Sequence, residues 1–189
     1  MRTSLVALAL ASGCLAAPAR FKRASDLCFV IGSTTLPEET QTVADALADV
    51  ITCSSTKTTI AGVPDVTSGD VSFSQINFAD SSDSTLQFAL DEFATDCPLA
   101  DNDLTKFQNQ LNVYQATEAG VRSVAGSLAI KVPKFFLEFQ VARIQTAQGN
   151  PPTDPGQQVD HLLTKVLTNA AGQSQDLLDQ VTELSTILA

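Results

Sequence analysis

Tryptophan is absent from this 189-residue chain, and tyrosine, histidine and methionine occur once each. Without indoles, and with Tyr114 as the lone phenol, a cleft that stacks sugar rings has little to be built from. A hydrolase of the Ser-His-Asp or Cys-His kind would have to use His161, which sits beside the core positions of an amphipathic helix, and no Gly-x-Ser-x-Gly elbow accompanies it. No set of His, Cys and carboxylate residues shows the spacing of a zinc site. The acids Asp91, Glu92, Asp96, Asp101 and Asp103 lack the glycine and terminal glutamate of an EF-hand loop, and read instead as a solvated, helix-capping face. The sequence therefore implies no catalytic residue, no metal and no cofactor. It also lacks any Asn-x-Ser/Thr sequon, which leaves the Ser/Thr clusters 54–59 and 81–85 as the candidate O-mannosylation sites.

Long apolar runs are missing as well, apart from one at the start. Arg2 precedes Leu5 to Ala11 and the small residues Ser12 to Ala17, the order of a secretory signal peptide over residues 1–17. No later run of about 20 apolar residues exists, so no integral membrane span is expected. The end, Leu184 to Ala189, is too short and broken for a GPI-anchor tail. Reading Cys14 as a lipidated bacterial N-terminus would put Ala11 where leucine is usual and leave Lys22-Arg23 without a role.

Phe21-Lys22-Arg23, before Ala24, resembles the pro-site that kexin-type proteases cut in secreted fungal proteins. That resemblance implies a propeptide over residues 18–23 and one mature domain over 24–189, an acidic mixed portion (24–100) followed by a helical one (101–189). In leader, size and helix content the chain resembles small secreted fungal proteins of the cell wall and cell surface. No residue motif ties it to a named family.

Positive charge is scarce. The 166 residues from Ala24 onward carry 7 bases against 21 acids, a net of −14. Residues 24–103 hold 14 of those acids and a single base, Lys57, whereas residues 104–189 hold 7 acids and 6 bases. A surface of this sign repels nucleic acid and anionic lipid. It suits solubility in an acidic extracellular medium. Cysteine is thin too: Cys28, Cys53 and Cys97 remain after the leader, enough for one disulfide and one thiol. A Cys28–Cys53 bridge would close a loop of about 25 residues and contribute ~3 kcal/mol. Cys53–Cys97 is the competing pair.

The expected fold class is mainly α, a helical bundle of about five to six helices whose acidic N-terminal portion holds a short strand or hairpin. Thr34-Thr35-Leu36-Pro37-Glu38-Glu39 reads as a capped helix start, with Val43, Leu47, Val50 and Ile51 carrying a helix over 37–53. The Ser/Thr/Gly/Pro-rich stretch 54–70 reads as loop, Val71 onward as strand, and 84–96 as a helix burying Leu86, Phe88, Leu90 and Phe93. Apolar residues then repeat at three and four from Leu104 to Val132, predicting one long helix capped by Asp101 or Asp103 and ended by Pro133. Residues 134–148 read as a helix apolar on nearly every face. Gly149 to Pro155 is a break, and two amphipathic helices on Val159–Ala170 and Leu177–Leu188 close the chain.

Two features carry the functional question. Glu118 interrupts the apolar stripe of the long helix. It is read as a seam position turned to the surface, the alternative being burial beside a cation such as Lys131, Lys134 or Arg143. Phe135, Phe136 and Phe139 belong either to a central core helix or to a lining for an apolar ligand or hydrophobic surface. The expectation is a secreted, extracellular or cell-wall protein without enzymatic activity. Its partner would be a cell-wall component, a hydrophobic ligand or, for an effector or adhesion-type protein, another protein.

Overall fold

The computed structural model describes residues 27–189. The leader and the processing pair Lys22 and Arg23 lie outside the described residues. The chain forms a mainly α structure with a small antiparallel sheet ordered β1-β2-β3, on strands β1 (Thr52–Thr58), β2 (Pro64–Ser68) and β3 (Val71–Ser72). The helices are α1 (Glu38–Ala46), α2 (Thr85–Glu92), α3 (Leu104–Ser123), α4 (Lys131–Ala147), α5 (Val159–Asn169) and α6 (Gln175–Leu184).

Several sequence expectations are corrected. Helix α1 stops at Ala46 rather than near 53, and its N-cap is Pro37 with no side-chain cap from Thr34 or Thr35. Thr34 instead donates its N–H to the Ser123 carbonyl at the end of α3. Leu47 and Ile51 stay buried in the turn that follows α1, because Cys53 is committed to pairing with Val66 and to a disulfide with Cys28, 25 residues away. The stretch 54–70 is a hairpin, not loop. Its threonines are β-branched and accept a pleated edge, and Ala61 and Gly62 make the turn at positive φ. Of the two cysteine pairings the first forms, and Cys97 is an exposed thiol.

The single long helix is in fact two. Asp103 caps α3 by accepting from the Thr105 and Lys106 N–H groups. The helix ends in a Schellman motif: Gly126 N–H bonds the Val121 carbonyl, Ala125 N–H bonds the Arg122 carbonyl, and Ala125 takes the left-handed conformation (φ 53°). Pro133 does not end a helix but sits in the first turn of α4, where its missing N–H has no partner to lose. Helix α4 then packs against α2, α3 and α5, with Phe136, Leu137, Phe139 and Ile144 fully buried. It is the central helix. Tyr114 on α3 anchors the sheet side, donating to the Ile76 carbonyl at 2.7 Å between edge-on Phe73 and Phe93 rings.

Close approach of the N-terminal segment to α3 depends on Gly120. A Cβ there would lie 2.5 Å from the Phe29 carbonyl oxygen and 2.7 Å from Val63 methyls. Two segments far apart in sequence, around Phe29 and Val63, thereby meet on one helix.

Candidate functional site

Helical spacing brings polar residues to one face on each of three helices. Gln115, Glu118 and Arg122 lie three and four apart on α3; Lys131, Lys134, Phe135 and Glu138 do the same on α4; His161 and Lys165 are four apart on α5. With Glu39 and Val43 of α1 and the turn at Asp154–Gln157, these faces enclose a cleft of about 450 Å³, within the size range of small-molecule sites.

The floor of the cleft is an ion cluster. Glu118 is buried, at 4% exposure, so it is not the surface position that its place in the stripe suggested. Its Oε1 takes Arg122 Nε at 2.8 Å and Nη2 at 2.7 Å, and its Oε2 takes Lys134 Nζ at 2.9 Å. Lys134 was among the cations anticipated for it; Arg122 was not, and Lys131 and Arg143 form no ion pair with it. Lys134 also lies 3.7 Å from Glu138 Oε1, which accepts from Gln115 Nε2 at 3.2 Å. Burial pushes the Glu138 carboxyl above the ordinary glutamate value; Lys134 and the Gln115 hydrogen bond oppose that shift, and Glu118 adds to it. Lys134 Nζ completes the floor 3.8 Å above the Phe135 ring.

The rim is different. Among the described residues, no carboxylate lies within 4.0 Å of the Lys131 or Lys165 ammonium, and His161 is exposed beside them. Of the three phenylalanines singled out from sequence, Phe135 lines this cleft, whereas Phe136 and Phe139 are fully buried in the core.

Two other polar clusters serve the fold. Arg143, at 1% exposure, donates to the Ile187 carbonyl at 2.9 Å, to Thr95 and to the Gln140 amide oxygen. Burial lowers its pKa to about 10, and it fastens the chain after α6 to the core. Asp65 accepts from Ser74 N–H and hydroxyl and pairs with Lys57 at 3.5 Å, closing the sheet onto the turn at Phe73–Gln75. Lys57 also donates to the Ser74 hydroxyl at 2.6 Å. Among the described residues no group of three His, Cys, Asp or Glu is placed to hold a metal, and no helix is long and apolar enough to cross a membrane.

A mainly α protein with one disulfide, an acidic sequence and a charge-lined interhelical cleft is thus defined. The chain belongs to the family described as a domain of unknown function (DUF7143), whose model matches residues 30–189. No curated protein and no solved structure matches it.

Proposed function

We propose that this is a secreted, non-enzymatic binding protein of the cell wall or cell surface, built as a helical bundle, which holds a small ligand in the cleft between α1, α3, α4 and α5. The leader with its dibasic pair and the Cys28–Cys53 bridge, a bond suited to oxidising compartments, support export. One observation carries the binding role. Four of the seven bases from residue 24 onward, Arg122, Lys131, Lys134 and Lys165, line this one cleft, in a chain whose remaining charge is overwhelmingly acidic. The same lining carries the carboxylates of Glu39, Glu118, Glu138 and Asp154, so the cleft gathers charge of both signs in balance. The cleft's chemistry also refines the ligand expected from sequence. Its floor is ionic and its apolar contribution is confined to wall residues such as Val43, Phe135 and Leu162, so a purely apolar guest would leave charged groups poorly solvated.

A thermal-shift screen of small acids, amines, sugars and aliphatics tests this reading, because a ligand that binds the native state raises Tm. Hits are expected with the native protein and not with Val43→Trp, which fills the cleft wall. Hits that persist undiminished in Val43→Trp, or no hit in any class, would contradict it.

A further inference from the structure

Resting on the cleft as a binding site, we propose that its ligand is a small organic acid with a short apolar body, whose carboxylate is received by Lys131, His161 and Lys165. The cleft also contains carboxylates, and the two deep ones already face cations. Glu118 is held by Arg122 and Lys134. Glu138 takes the Gln115 amide and faces Lys134. Asp154 accepts the Gly156 N–H at 2.8 Å and caps its own turn. Glu39 sits in the first turn of α1, where the helix dipole is positive.

Lys131 and Lys165 have no such counterpart among the described residues, although acids outnumber bases 21 to 11 in the chain. His161 and Lys165 stand one turn apart on α5, and Lys131 lies 5.7 Å from the centre of the Phe135 ring. The rim therefore presents two unpaired ammonium groups and an imidazole above apolar wall, with Glu118 and Glu138 held underneath and Glu39 and Asp154 at the exposed edge. That is the complement of an anion joined to a compact apolar group. A long alkyl chain is disfavoured, since the charged floor offers it no apolar depth.

Isothermal titration of the folded protein with benzoate, benzamide, benzylamine and inorganic phosphate separates the alternatives. Benzoate is expected to bind most tightly. Lys131→Gln with Lys165→Gln should weaken benzoate binding roughly tenfold, the effect of two partly exposed charge contacts, with Lys131→Arg and Lys165→Arg restoring it. Both positions lie on the rim, and an unchanged Tm verifies that the variants fold. Benzamide or benzylamine binding as tightly as benzoate would overturn the proposed ligand class while leaving the cleft as a binding site. Phosphate binding as tightly as benzoate would remove the apolar body from the proposal. Heat signals for none of the four in the native protein, together with an empty thermal-shift screen, would overturn the cleft reading itself.

Discussion

Glu138 shows how a single buried carboxyl sets a pH dependence. Its folded-state pKa is raised, so the stability linked to it is fully present below the unfolded glutamate value and is lost as pH rises through the folded value. Glu138→Gln keeps an acceptor for Gln115 and removes the charge. It should raise Tm at pH 7 relative to the native protein and leave Tm nearly unchanged at pH 4; a lower Tm at pH 7 would show that the pairing with Lys134 outweighs burial. Glu118 matters through its partners. Each of its oxygens meets a cation, and Glu118→Gln strands Lys134 and Arg122 in a site where little water reaches them. A loss of roughly 2–4 kcal/mol is expected in denaturant unfolding. The sequence marked Glu118 as anomalous and named Lys134 as a partner. It could not show burial, because a carboxylate at a seam position looks the same whether the seam faces water or a second helix.

At the scale of elements, the junction between α3 and α4 is where pattern and structure part company. The three-four repeat continues across Leu104 to Val132, so periodicity alone carries no break. What ends α3 is local: Ala125 in a left-handed conformation, closed by backbone bonds from Ala125 and Gly126. An alanine there is a weak signal, whereas a glycine at the same place would have been read as a helix end. Ala125→Gly is accordingly expected to stabilise the protein by about 1 kcal/mol, measured by urea unfolding. Gly120→Ala should do the reverse, by roughly 1–3 kcal/mol, since its methyl group meets Phe29 and Val63. The Asp103 cap, the break after Gly149 and the two closing helices were legible, because capping acids, prolines and amphipathic spacing act locally. The 54–70 hairpin was not. Serine, threonine and glycine serve loops and exposed edge strands equally, and cross-strand pairing decides between them.

Across the whole molecule the disulfide and the distribution of charge matter most. Cys28–Cys53 ties the N-terminal segment to the edge strand β1, and Cys28→Ala is expected to cost about 3 kcal/mol of stability on denaturant unfolding. The residues of the cleft span Glu39 to Lys165, drawn from four helices, so no local motif announces it. The signal that was available is compositional, a short supply of bases drawn from α3, α4 and α5. The fold gathers them in one cleft, with Arg122 and Lys134 paired to Glu118 on the floor and Lys131 and Lys165 above.

The central claim is that this cleft binds a small molecule. It is tested most directly by two-dimensional amide NMR of the uniformly ¹⁵N-labelled protein, titrated with benzoate. The account predicts saturable shifts concentrated at Val43, Gln115, Lys131, Phe135, His161 and Leu162, with residues of the hairpin unmoved. Shifts scattered over the acidic surface, or centred on the hairpin with the cleft resonances unchanged, would contradict it.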